Sequence, residues 1–202
     1  AVSGLAHIRA LSLNGSNDVQ VLLSGPDLTH RDILIRAVVS VVQRRALSQA
    51  ELIRAAGLLG QVMDVKEMAG HSSVFFGRKM NPGYLDQLIS LFQARDDNGN
   101  QMLSMIQAGR LALKPALQLL DFPEPERKLF LTLFQGIKVS ASRQVQMITF
   151  LKEVSARDRI PMEDAFKRMQ LARILDDPGL DNAQKADRIF KTIYENRYPT
   201  LS

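Results

Sequence analysis

Apolar side chains recur at helical intervals through most of this 202-residue chain, and turn residues separate the successive apolar runs. The stretch 46–120 predicts several short helices in succession. Within it, Ser48 and Glu51 have the spacing of a capping box, in which each residue bonds the backbone amide of the other. A helix is therefore predicted to begin at Ser48 and to end near Gly60.

The residues that follow have the pattern of a helix-turn-helix. Asp64 predicts the start of a second, very short helix that stops at Gly70. A polar loop is predicted over 71–80, and Asn81 followed by Pro82 predicts the start of a third helix with one apolar face. A DNA-binding helix-turn-helix presents its recognition helix in this order, although an ordinary corner of a helical bundle has the same pattern.

The chain is predicted to be helical after Gly25, with a single strand before it. That strand is the β-branched run 19–23, and Thr29 caps the almost wholly apolar helix that follows. A lone strand needs a partner, so it either pairs in a dimer or belongs to a larger α/β domain. We expect the second, because Ala1 begins directly in a helical pattern.

The part of the chain beyond the central stretch predicts one loop and several more helices. The segment 95–100 has the composition of a loop. Long helices are predicted over 123–134, 140–155 and 161–175, and Asp181 is predicted to cap a last amphipathic helix. The expected fold class is mainly α, a multi-helix DNA-binding domain preceded by a small α/β remnant.

The charge of the chain is modest, but its distribution suits a polyanionic partner. The formal net charge is +5, and acidic residues are absent from 33–50, 68–85, 98–120 and 127–152, each of which contains Arg or Lys. Such windows predict positive faces that can neutralise phosphates. Solvated helix faces that lack acids by chance are the alternative.

Several classes of protein are disfavoured by composition and motifs. The chain has no Cys and three scattered His, which gives no ligand cluster for a metal. No apolar run is long enough for a membrane span and no signal peptide is recognised, so we expect a cytoplasmic protein. His71 beside Ser72 is better explained by a solvated loop than by a nucleophile and its base. We expect no enzymatic activity and no catalytic residue.

Two colinear segments of the chain resemble the ParB family of partition proteins. The first comprises the run 19–23, the apolar helix and 43–51, and is similar to the passage from that family's amino-terminal domain into its helix-turn-helix. The second covers 107–120 and 123–127 and is similar to the segment after that family's recognition helix. Order and spacing fit over roughly 4–134.

The resemblance implies a DNA-binding protein of the ParB type. Such a protein recognises a centromere-like site on a plasmid, integrative element or chromosome and works with a ParA-type ATPase on the nucleoid. We also expect a homo-oligomer, because the run 19–23 and the amphipathic last helix leave apolar surface that a monomer would have to cover. A ParB-related transcriptional regulator is one alternative, and a protein-interaction bundle with a degenerate helix-turn-helix is the other. The implied division is 1–28 as the remnant of the amino-terminal domain, 29–136 as the DNA-binding domain, and 137–202 as a helical extension.

Family members also hold CTP and Mg²⁺ through an arginine-rich box and a Glu-Asn-x-x-Arg box. The matching positions here are 4–7 and 40–44, where only Gly4 and Arg44 agree with the boxes. The arginines that would clamp a triphosphate and the carboxylate that would hold Mg²⁺ are missing. We therefore expect no nucleotide or metal cofactor.

The predicted DNA contacts are polar or basic side chains near helix ends. Those near the third helix are expected to contact bases and phosphates, and those farther along the chain to contact phosphates only. The first group is Ser72, Ser73, Arg78, Lys79, Asn81 and Tyr84. Arg44 and Arg45, at the end of the apolar helix, either face phosphate or neutralise the carboxyl end of that helix. The second group is Arg110, Lys114, Lys138 and Arg143.

Overall fold

The computed structural model describes residues 28–94 and 97–198, and at 97 and 98 the backbone alone. Within these ranges every regular element is an α-helix, which confirms the mainly helical fold class. The predicted strand 19–23 and the segment before it lie outside the described residues. Two compact units divide the chain, 1–92 (unit 1) and 93–202 (unit 2).

The boundary between the units falls inside the segment 29–136, which the sequence treats as one DNA-binding domain. Unit 1 ends at Phe92, in the last turn of the predicted third helix, and unit 2 begins at Gln93, two residues before the predicted loop 95–100. Which residues form a functional domain stays a prediction.

Unit 1 contains five helices over its described residues. They are α1 (His30–Val42), α2 (Gln49–Leu59), α3 (Val65–Gly70), α4 (Ser72–Phe76) and α5 (Pro82–Gln93).

The helix starts in unit 1 follow from local capping bonds. Thr29 and Ser48 each form a complete capping box, with Asp32 and Glu51 respectively, and the Asp64 side chain accepts from the Glu67 amide. Each bond satisfies an amide that has no partner inside its own helix. The predicted starts of α1, α2 and α3 are therefore confirmed.

The core of unit 1 is formed by the apolar faces of α2, α3 and α5. Fully buried side chains are contributed by all three helices: Ile53, Ala56, Leu59, Met68, Leu85, Leu88 and Leu91. Helix α1 packs against α2 and α4. Although α1 is apolar on nearly every side, Val38 is its only buried residue.

The prediction of a loop over 71–80 is wrong in part, because α4 occupies its first half. Phe75 and Phe76 are buried, and they stack edge to face at 6.3 Å. Phe75 and Phe76 stand among polar residues, so the sequence pattern did not indicate a helix here. A helix of five residues is stable only when it packs against the rest of the unit. Gly77 then ends the helix in the left-handed region at φ 70°.

Unit 2 contains seven helices over its described residues. They are α6 (Asp97–Gln107), α7 (Leu113–Leu119), α8 (Glu124–Gly136), α9 (Ala141–Asp158), α10 (Met162–Arg168), α11 (Leu171–Leu175) and α12 (Asn182–Arg197).

Helix α9 lies at the centre of unit 2 and packs against α7, α10 and α12. The core also includes Phe130 on α8, which is fully buried and lies 5.3 Å from the ring of Phe122 and 5.6 Å from that of Phe166. The predicted cap of the last helix is confirmed, since Asp181 and Gln184 form a capping box.

Two predictions in unit 2 are wrong. Residues 97–100 of the predicted loop 95–100 form the first turn of α6, because a first turn tolerates the polar residues that also mark loops. The predicted helix 161–175 is two helices, since Gln170 adopts the left-handed region at φ 52° and separates α10 from α11.

Candidate nucleic-acid interface

The carboxyl end of α1 meets the turn that follows α4. Helix α1 packs against α4, and a Cβ atom built at Gly77 would lie 3.5 Å from Cγ1 of Val42, so the two segments are near neighbours. Arg44 follows Val42 by two residues, and Arg78 and Lys79 follow Gly77 directly. Two predicted basic segments, 35 residues apart in sequence, therefore lie side by side.

Arg45 is committed to a structural ion pair. Its two terminal guanidinium nitrogens donate to Glu51, Nη1 to Oε2 at 2.8 Å and Nη2 to Oε1 at 2.5 Å. Glu51 also accepts from the Ser48 amide at 2.9 Å. The Arg45 hydrogen bonds and then the Ser48 amide lower the pKa of Glu51 to about 2. The sequence predicted the capping box of Ser48 and Glu51, and the structure adds the ion pair between Glu51 and Arg45.

The other three arginine and lysine side chains at this contact are exposed. Arg44, Arg78 and Lys79 form no ion pair with any residue of the described ranges. Exposed cations of this kind are available to phosphates. We call Arg44, Arg78, Lys79 and Asn81 the basic surface of unit 1.

Ser72 supports this surface from inside. It is 2% exposed, its hydroxyl donates to the Ala69 carbonyl at 2.8 Å, and its oxygen accepts from the Met80 amide at 3.0 Å. These bonds hold both ends of the segment that carries Arg78. Ser73 next to it is exposed. The geometry of Ser72 fits a positioning role better than a direct contact with DNA.

Asn81 is the N-cap of α5, as the sequence predicts. Its Oδ1 accepts from the Tyr84 amide at 2.8 Å, and Tyr84 is half-buried. Reading adenine requires both the oxygen and the nitrogen of an asparagine amide. Because the oxygen is engaged in the cap, Asn81 is suited to start the helix and to offer its Nδ2 to an acceptor.

Arg110 and Lys138 in unit 2 line one polar cavity of about 540 Å³, together with Asn182 at the first position of α12. Arg110 donates from Nη1 to the Gln135 carbonyl at 3.1 Å. The Lys138 amide donates to Oδ1 of Asn182 at 2.8 Å. The structure thus joins one residue from each of two predicted phosphate-binding segments.

Lys114 and Arg143, the other two residues predicted to contact phosphates only, do not line this cavity. Lys114 is exposed on α7. Arg143 pairs with Asp187 at 2.6 Å, and its guanidinium carbon lies 5.2 Å from the centroid of Phe190. Arg143 is therefore partly neutralised.

A residue that the sequence predictions missed fixes the turn carrying Arg110. Gln144 is 2% exposed. Its Nε2 donates to the Arg110 carbonyl at 2.6 Å and its Oε1 accepts from the Ala112 amide at 3.0 Å. A signal was present, since Gln144 precedes Met147 and Ile148 at helical spacing and so stands within the apolar stripe. A buried polar residue must have partners.

Neither a metal site nor a membrane span is found among the described residues. No group of three or more His, Asp or Glu side chains there is arranged to hold a metal ion. No helix in these ranges combines the length and apolar character that crossing a membrane requires.

Comparisons of the chain with protein-family models, with curated proteins and with solved structures gave no match. The resemblance to ParB proteins consequently rests on the sequence segments alone.

Proposed function

We propose that this protein binds double-stranded DNA through the basic surface of unit 1, as a partition protein of the ParB type that recognises a centromere-like site. The packing of α1 against α4, with Val42 near Gly77, supports the proposal, because Arg44 follows Val42 by two residues and Arg78 and Lys79 follow Gly77 directly. Three exposed cations next to the first turn of a helix form a compact footprint for the DNA backbone.

The roles within the surface follow from side-chain chemistry. Arg78 is the residue proposed to read a base, because a guanidinium can bind guanine through two hydrogen bonds. Lys79 is proposed to bind phosphate as a point charge and Arg44 through its planar guanidinium, with Ser73 and Tyr84 as further phosphate contacts. The cavity of Arg110 and Lys138 is proposed to bind a further phosphate without reading sequence.

The biological setting is proposed from the resemblance. It supports a ParA-type ATPase as partner, a homo-oligomer on DNA and association with the nucleoid. Only Gly4 and Arg44 agree with the family's nucleotide boxes, which supports DNA recognition without a CTP switch.

The test is capture of sheared genomic DNA by the full chain, followed by sequencing and by affinity measurements across a salt series. We expect an enriched site and a steep fall of affinity with salt. Arg78→Ala with Lys79→Ala should weaken specific binding by about 1–3 kcal/mol. The control, Lys185→Ala with Lys191→Ala, removes the same charge from α12 and should bind as the wild type does.

Two outcomes would remove this proposal. One is the absence of any DNA binding at low salt. The other is unchanged affinity of the Arg78 and Lys79 variant with its fold intact by circular dichroism.

A protein-interaction bundle is the second candidate, and an apolar groove in unit 2 favours it. Binding through such a groove would depend on apolar contact and much less on salt than DNA binding does.

A further inference from the structure

A groove in unit 2 lies between α8, α10 and α11 and encloses about 670 Å³. Its floor is apolar and includes Leu129, Phe166 and Leu175. Leu129 is half-buried, whereas Phe130 and Leu133 on the same helix are fully buried. The groove is therefore a place where the apolar face of α8 extends beyond the core.

The groove depends on a break that the sequence pattern does not predict. Gln170 has φ 52° and ψ 35°, a conformation that residues other than Gly, Asn and Asp rarely adopt. This residue ends the turn after α10 and precedes α11, so the two helices line the groove as separate walls. One continuous helix over 161–175 would not have this shape.

The rim of the groove is positively charged. Lys128, Lys167 and Arg173 line it, and Glu163 is the one acidic residue among the lining residues. Glu163 already pairs with Lys167 at 2.7 Å. Arg173 donates to the neutral Gln170 side chain at 3.3 Å.

Lys128 has no polar partner among the described residues. Lys128 on α8 and Arg173 on α11 thus lie on opposite sides of the apolar floor. Neither of these cations is paired with a carboxylate of the described residues. DNA phosphates could satisfy the rim but would leave the floor without an apolar partner. An occupant with an apolar stripe and flanking carboxylates satisfies both.

We propose that this groove binds an amphipathic helix of a partner protein, whose apolar stripe faces Leu129, Phe166 and Leu175 and whose flanking Asp or Glu residues face Lys128 and Arg173. Helices dock into grooves through side chains spaced at i, i+3 or i+4, and i+7. This interaction is additional to DNA binding and uses none of the basic surface of unit 1.

The test measures fluorescence anisotropy of three labelled, helix-stapled peptides with the full chain. The first has Leu at i, i+3, i+4 and i+7 with Glu on both flanks, the second has Lys in place of Glu, and the third has Ser in place of Leu. We expect saturable binding of the first peptide alone. Equal binding of the Glu and Lys peptides, equal binding of the Ser peptide, or no binding of any would overturn the proposal.

Variants of the rim separate this groove from other surfaces. Lys128→Glu with Arg173→Glu alters exposed positions only, and it should weaken the Glu peptide by at least about tenfold through like-charge repulsion. The control, Lys185→Glu with Lys191→Glu, makes the same charge change on α12 and should leave binding intact. An equal loss in both variants would mean general charge attraction and would refute the site.

Two competing occupants are tested in parallel. A dansyl-labelled fatty acid that binds while the peptides do not would assign the groove to a small amphiphile instead. Light scattering that shows a dimer broken by the rim variant would assign it to a second copy of this chain. Either result would overturn the proposal that the groove binds a helix of a partner protein.

Discussion

The side chain of Phe92 on α5 lies against the backbone of Gly57 on α2, so closely that no other residue fits at Gly57. A Cβ atom built there would lie 2.0 Å from Cγ and 2.6 Å from Cβ of Phe92. The second distance involves the base of the side chain, so rotation of the ring cannot relieve the overlap. This contact fixes α5 against α2, and α5 begins at the basic surface.

Gly57→Ala should lower the free energy of unfolding of unit 1 by about 1–3 kcal/mol, because the added methyl group displaces Phe92 and overpacks the core. The control is Gly70→Ala, where no atom lies within 4 Å of the added Cβ. That variant should change stability by less than about 1 kcal/mol. Urea unfolding, with hydrogen exchange to assign the change to α2 and α5, measures both. Equal stability of the two variants would contradict the packing at Gly57.

Glu51→Gln should destabilise α2 in a pH-dependent way. The pKa of Glu51 falls from the ordinary 4.5 to about 2, so its charged form favours the folded state. The stabilisation is complete above about pH 4.5 and is lost as pH falls towards 2. Gln can keep the capping box but not the ion pair with Arg45.

We expect a loss of about 0.5–1 kcal/mol for Glu51→Gln near neutral pH, converging with the wild type near pH 2. Urea titrations at several pH values measure the difference. A difference that does not change between pH 7 and pH 2 would rule out the ion pair as its origin.

Ser72→Ala should lower stability and loosen the segment that carries Arg78. It removes the acceptor of the Met80 amide, and an unsatisfied amide costs about 1–3 kcal/mol. Ser73→Ala, at the adjacent exposed position, should stay within about 0.5 kcal/mol of the wild type. Hydrogen exchange at the Met80 amide distinguishes the two variants. Unchanged protection in Ser72→Ala would remove Ser72 as a positioning residue.

Arg110→Ala with Lys138→Ala should weaken specific and random DNA equally. Binding to phosphates carries no sequence information, so the slope of log affinity against log salt should fall by about 1 for each phosphate that is no longer neutralised. Lys114→Ala, outside the cavity, shows how much DNA affinity is lost when a single exposed lysine is removed. A weakening confined to one DNA sequence would argue for base reading instead.

The sequence by itself determined where most helices begin. The caps at Thr29, Ser48, Asp64 and Asp181 are bonds between residues three positions apart, so they form in the same way wherever the helix lies. The apolar face of α5 was equally readable, because its period is a property of the helix itself.

Only the tertiary structure decided which of these elements meet and where a pattern is interrupted. The proximity of Arg110 to Lys138 and of Val42 to Gly77 joins segments that lie far apart in sequence. The pairing of Arg45 with Glu51 depends on the path of the chain into α2. No Gly or Pro at or next to Gln170 indicates this break in the sequence. Gln170 stands between Met169 and Leu171, which are both buried, and an unfavourable backbone conformation persists only where the surrounding packing determines it, which depends on the whole unit.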